Sequence, residues 1–290
     1  MDKTKKHICL VDGSTYIFRA YHALPPLTRK SDGFPVGAIS GFCNMLDKLV
    51  KEEKEKKAIT NLLVVFDASG KTFRNDIYTN YKANRSEAPE DLIPQFPVIR
   101  KATEAFNIPY VELIGYEADD LIASYSRAAQ KENMKVTIVS SDKDLMQLVS
   151  DNVSMLDTMK NKIVQKGEVY EKFGVYPEKV IDVQSLAGDS VDNIPGIPGI
   201  GIKTAALLIN EYGNLDGLFK NAESIKQKKR RENIIEFEEQ AYLSKKLVTL
   251  RDDVPLPIPI QETALKDIDA KKLISFLKEM EFRTLTDKKS

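Results

Sequence analysis

His7-Ile8-Cys9-Leu10-Val11-Asp12-Gly13-Ser14 is a short apolar run that stops on an acid and a turn pair. Four apolar residues, Ile8 to Val11, bounded in this way read as a buried strand. The form recurs at Leu62 to Phe66, followed by Asp67, at Val136 to Val139, followed by Asp142 and Asp144, and more weakly at Tyr110 to Ile114, ahead of Glu117. Between these runs the spacing is helical: Phe42, Met45, Leu46, Leu49 and Val50 share one face, as do Ala118, Leu121, Ile122 and Tyr125. Strands alternating with helices predict an α/β fold, a parallel sheet covered by helices on both faces.

After about residue 175 the strand signal fades, and helices are predicted over Val180–Gly188, Lys203–Tyr212, Arg231–Lys246 and Ala270–Met280. Two units are therefore expected, an α/β core over 1–175 and a helical subdomain over 176–290, with the proline-bearing Val254 to Ile260 as an extended return segment. The stretch from Lys71 to Phe96 breaks the pattern. It places Lys71, Arg74, Lys82 and Arg85 among Phe73, Tyr78 and Tyr81 with poor apolar periodicity, as a functional loop or lid would. A second basic run, Lys226 to Arg231, lies in the helical half.

Composition narrows the chemistry. Lys plus Arg and Asp plus Glu both number 43 in 290 residues, so any surface for a polyanion must come from local segregation of charge. His7 and His22 are the only histidines, too few for a histidine-rich zinc site. Cys9 and Cys43 sit in apolar runs, which predicts a reducing, cytoplasmic setting without disulfides. No run approaches the roughly 20 apolar residues that span a bilayer, so no membrane partner is expected.

Acids follow each strand. Asp12, Asp67, Asp142 and Asp144 would stand at one edge of a parallel sheet, with Glu117, Asp119 and Asp120 opening a helix at the same edge. Singly, each reads as a turn or cap residue. Together, seven converging carboxylates would repel one another unless cations offset them, and neutralising one of them, Asp120 for example, would stabilise the metal-free chain. All-oxygen ligands select Mg²⁺ or Mn²⁺, and so many acids suggest two ions or more, suited to in-line phosphodiester hydrolysis. Further on, Gly188-Asp189-Ser190-Val191-Asp192 leads through Gly196, Gly199 and Gly201 to Lys203 and a new helix, a helix, glycine hairpin and helix that would grip a nucleic-acid backbone. Asp189 and Asp192 would complete the acid cluster. Two other classes remain open, a small-molecule phosphatase and a catalytically silent DNA-binding module.

Val11-Asp12-Gly13-Ser14, Val65-Phe66-Asp67, Tyr81-Lys82-Ala83-Asn84-Arg85, Glu117-Ala118-Asp119-Asp120, Ser141-Asp142-Lys143-Asp144 and Gly188-Asp189 through Thr204-Ala205 resemble the flap endonuclease family, and within it the 5′ nuclease domain of bacterial DNA polymerase I. The resemblance covers nearly the whole chain. It implies a metal-dependent, structure-selective 5′-3′ exonuclease and flap endonuclease acting on DNA with a 5′ flap, nick or 5′ end and on RNA–DNA primer junctions, as a monomer. It assigns metal binding to Asp12, Asp67, Glu117, Asp119, Asp120, Asp142, Asp144, Asp189 and Asp192. By the same resemblance Lys82 and Arg85 act at the scissile phosphate, Tyr81 stacks on a terminal base and Arg19 meets DNA near the site. The Gly196 to Lys203 hairpin, of helix-hairpin-helix type, binds duplex with a K⁺, and about 73–96 forms a helical arch. Departures from the family pattern are Ser86, where proline is common, and the Lys/Glu run from Lys51 to Lys57.

Overall fold

The computed structural model describes residues 6–55 and 59–288, so Lys56 and Lys57 of the Lys/Glu run lie outside the described residues. Six strands, β1 (His7–Asp12), β2 (Asn61–Val65), β3 (Tyr110–Val111), β4 (Lys135–Val139), β5 (Val153–Asp157) and β6 (Lys162–Val164), form one sheet in the order β3-β2-β1-β4-β5-β6. β1 to β5 run parallel and β6 returns antiparallel to β5. Every residue from Ile8 to Asp12 is buried, which is why the run is continuously apolar rather than alternating.

Alternate residues serve two cores. Ile8, Leu10, Leu63, Val65, Val136 and Ile138 face the helix Ala118–Lys131, while Cys9, Val11, Leu62 and Val64 face Gly13–Ala23, Gly37–Glu55 and Gln95–Ala105. The first core continues without a break into Val180, Val183, Leu186, Leu208 and Ile209 of the helical half, so no linker divides the chain.

Three expectations are corrected and one element is added. Tyr110 to Ile114 keeps only two paired residues, because the chain leaves the sheet through exposed Ile114 and Gly115, whose φ is 89°. The β5–β6 hairpin was not expected from the sequence at all. Arg231–Lys246 is two helices, Lys228–Glu236 and Glu238–Val248, broken at Phe237. The final helices, Ala270–Glu279 and Arg283–Asp287, leave the helical half: Leu273, Leu277 and Leu285 pack in the second core, and Leu265 N–H donates to Thr60 O at 2.9 Å. No helix among the described residues is long and apolar enough to cross a membrane.

Candidate active site

The chain builds β2 and β3 outward on one side of β1, then crosses back to place β4 on the other, and a crevice at such a reversal lies beyond the carboxyl ends of the strands. A cleft of about 570 Å³ occupies that position, lined by Asp12, Asp67, Glu117, Asp119, Asp142, Asp144 and Asp192 and by Arg19, Tyr81, Lys82 and Arg85.

Asp12 ends β1 and caps the next helix. Its Oδ1 accepts from Thr15 N at 2.9 Å, and its Oδ2 accepts from Ser140 Oγ at 2.7 Å. Burial still outweighs those bonds and pushes its carboxyl up to about 6. Asp67 accepts from Ser14 Oγ at 2.5 Å and from Ala118 N at 2.8 Å, which ties β2 to the helix carrying Asp119. Asp119 has neither a hydrogen-bond nor an ion-pair partner among the described residues. Burial, then Asp142, Asp12, Asp67 and Glu117, push its carboxyl well above the ordinary range. Asp144 is pushed up to about 7 by burial and Asp142, against the pull of Lys143 and of Gln184, whose amide donates to it at 2.5 Å. Asp142 thus acts on two groups of acids, one around Asp119 and one around Asp144.

The remaining acids already face cations. Glu117 meets Lys82 at 2.6 Å, Asp189 meets Lys143 at 2.6 Å, and Asp192 pairs with Arg85 and lies 3.7 Å from Lys82. Burial pushes Asp189 up, but Lys143 and the amides of Val191 and Asp192 outweigh it and hold the carboxyl low. The acids line common walls, and no three of them close into a finished metal cage among the described residues. Like charges hold apart until a cation comes between them. The donor set itself is all oxygen, of the kind that hard divalent ions take.

Several candidates are placed differently from the expectation. Asp120 is fully buried behind the cleft, with both oxygens taken by Arg74 at 2.7 and 2.8 Å and by the amides of Arg251 and Glu117, so its charge is spent internally. Tyr81 is 5% exposed, packs with Ile194, Leu247 and Val248, and donates to Glu117 Oε2 at 3.1 Å, so its ring is not offered to a base. Arg19 lines the cleft but donates to Thr158 O at 3.0 Å and to Thr158 Oγ1. The 73–96 segment contains one short helix, Phe73–Ile77, then turns down to the cleft before Gln95 opens the next helix, and is no helical arch. Lys82 itself has φ 56°, and its N–H donates to Asp192 O at 2.9 Å.

In the hairpin, Gly196 is buried. A Cβ there would stand 2.4 Å from Gly188 N, and its own N–H donates to Ser244 Oγ at 3.0 Å, so this glycine serves close packing of backbone rather than an outside phosphate. Gly199 and Gly201 are exposed, and Gly201 precedes the helix Ile202–Tyr212 with Lys203 exposed in its first turn. Sequence reasoning missed the hydroxyls of Ser14, Thr15 and Ser140, and it read Arg74 only as local charge and Lys143 only as part of a motif. Ser14 and Lys143 stand beside the acids they serve and were findable, whereas Gln184 and Ser140 carry no signal.

Residues 7–174 match the family model described as 5′-3′ exonuclease, N-terminal resolvase-like domain, and residues 175–271 match 5′-3′ exonuclease, C-terminal SAM fold. The 5′-3′ exonuclease of Aquifex aeolicus is 41% identical, covering 97% of this chain and 94% of that protein. DNA polymerase I of Rhizobium leguminosarum is 58% identical over 98% of this chain, which spans 28% of that protein's length. In fold, the chain is similar to the bacteriophage T5 D15 flap endonuclease, solved with DNA and metal ions, at TM-score 0.71, with 24% identity and coverage of 96% of this chain and 98% of that one. It is also similar to the zinc-bound T5 5′-exonuclease at TM-score 0.70, with 24% identity and coverage of 96% and 99%.

Proposed function

The chain belongs to the 5′-3′ exonuclease family, and we propose that its cleft hydrolyses phosphodiester bonds with Mg²⁺, or Mn²⁺ in its place, at 5′ flaps, nicks, 5′ ends and RNA–DNA primer junctions in replication and repair. The observation that carries the metal reading is Asp119, a half-buried carboxylate on the cleft wall facing only other carboxylates. A fold avoids that arrangement unless a cation offsets it. Asp12, Asp67, Glu117, Asp119 and Asp142 would hold one ion, and Asp142, Asp144, Asp189 and Asp192 a second. Bound there, such ions would supply activation of the attacking water and counter-charge for the leaving oxygen.

The chain's own side chains do the rest. Lys82 and Arg85, freed from Glu117 and Asp192, would take the scissile phosphate and stabilise charge that grows as water's oxygen joins phosphorus and the ester oxygen leaves. Gly199, Gly201 and Lys203 would hold the duplex backbone without reading its sequence, and a K⁺ at the hairpin belongs to the same proposal. The test is incubation of a 5′-labelled flap, a nicked duplex and a phosphate monoester with Mg²⁺ or with EDTA. Cleavage of the first two with Mg²⁺ alone is the expected result. Full activity in EDTA overturns the metal reading. Turnover of the monoester alone makes the cleft a phosphatase, and binding without cleavage makes it a silent module.

A further inference from the structure

Gln184 is buried in the helix Val180–Ala187 among Val180, Val183 and Leu186. Its Nε2 donates to Asp144 Oδ1 at 2.5 Å, reaching from the helical half to the wall of the cleft. Its Oε1 is buried with no hydrogen-bond partner among the described residues. An orphaned buried acceptor costs stability, and an apolar side chain of similar size would avoid that cost. The amide is thus explained by its other end, at Asp144.

The backbone of Asp144 is fixed independently. Its carbonyl accepts from Gln147 Nε2 at 3.0 Å, and its N–H donates to Asp142 Oδ1 at 2.9 Å. Gln147 is in turn anchored to Val248 O at 3.0 Å and to Leu250 N at 3.1 Å. What Gln184 controls is therefore the direction of the carboxylate and not the path of the chain. The same helix supports the hairpin, where Ile197 N–H donates to Leu186 O at 2.7 Å, so one element serves both the duplex grip and this acid.

We propose that Gln184 is a positioning residue: it holds the Asp144 carboxylate in the orientation that a divalent cation meets, and so sets the affinity of the chain for that cation. The proposal rests on the metal-centre reading above. Partners of this kind, which orient a ligand without touching the ion, change metal affinity by about tenfold or more when removed.

The experiment compares Gln184→Leu with the parent in three measurements. These are melting temperature in EDTA, Mn²⁺ binding by calorimetry on the DNA-free protein, and the Mg²⁺ needed for half-maximal single-turnover cleavage of a saturating flap. The expected result is a melting temperature equal to or above the parent's, Mn²⁺ affinity weakened about tenfold at one site, and a matching rise in the Mg²⁺ requirement. Affinity for the flap in EDTA should stay at the parental value. Should the leucine variant fold poorly, Gln184→Met fills the same space with an unbranched chain. Parental Mn²⁺ affinity in a folded variant overturns the proposal, as does a large drop in melting temperature with metal binding intact, which would make Gln184 a packing residue. A parent that binds no Mn²⁺ overturns the metal-centre reading, and this proposal with it.

Discussion

Asp119→Asn removes a charge that faces only other acids, so it should raise the melting temperature in EDTA while lowering single-turnover cleavage on the order of a hundredfold or more, as loss of about 3 kcal/mol of transition-state stabilisation would. Its neighbour behaves oppositely. Asp120→Asn leaves the buried Arg74 guanidinium with only Glu117, at 3.4 Å, as counter-charge and should cost about 3 kcal/mol in denaturant unfolding, which reverses the stabilisation expected from sequence. An unchanged unfolding midpoint for Asp120→Asn would show that the pair is not what holds Arg74. The acids also set a pH response. With Asp12 pushed up to about 6 and Asp144 to about 7, the folded chain binds more protons than the unfolded one between about pH 4 and 7, so stability falls as pH rises through that window and levels off above it. Melting curves in EDTA from pH 4.5 to 8 should trace that fall, and saturating Mg²⁺ should flatten it by binding the native state. A curve that rises with pH over this range would mean that Asp12 and Asp144 are not held protonated in the folded chain, since an acid held low, such as Asp189, changes stability only below about pH 4.

The turn segment that carries Lys82 and the helix that carries Lys203 should fail in different ways. Lys82→Ala should lower single-turnover cleavage by about tenfold or more with smaller loss of affinity, because a cation beside the reacting phosphate acts mainly on the transition state. Lys203→Ala should weaken duplex binding evenly across sequences and lessen the salt dependence by roughly one phosphate contact. If the Lys82 variant cleaves at the parental rate once saturated with flap, the segment around it is only a solvated turn. How far such elements were legible in the sequence depended on where their partners lie along the chain. β1 and β2 are buried on both faces and read as apolar runs, β4 reads nearly so with Thr137 the one polar residue between Val136 and Val139, and the acids that follow them were visible for that reason. β5 alternates Val153, Met155 and Asp157 inward with Ser154 and Leu156, so a search for continuous runs passes over it. Tyr81 looked like a stacking residue because the residues that bury it, Ile194, Leu247 and Val248, lie more than a hundred positions away. Arg74 and Asp120 were each visible as charges, but nothing local says that they face one another.

Across the molecule, the two halves meet around charge. Arg74 joins Asp120 to the carbonyls of Leu247, at 2.8 Å, and Thr249, at 3.2 Å, so the end of the helix Glu238–Val248 is fastened to the helix that presents Asp119. Above that fastening, Lys82, Arg85 and Lys143 rest on Glu117, Asp192 and Asp189. On the proposed reading, these pairs would make metal binding and DNA binding thermodynamically dependent. A cation that takes the acids would release three positive side chains to a phosphate, and a phosphate that takes those side chains would leave the acids open to a cation. Linkage then requires that each event strengthen the other by the same factor. Flap affinity measured with Ca²⁺ against EDTA, and Ca²⁺ affinity measured with and without flap, should therefore improve by equal ratios. Both ratios should shrink together in Lys82→Ala, whereas unequal ratios that persist in the variant would mean that the three pairs are bystanders to assembly.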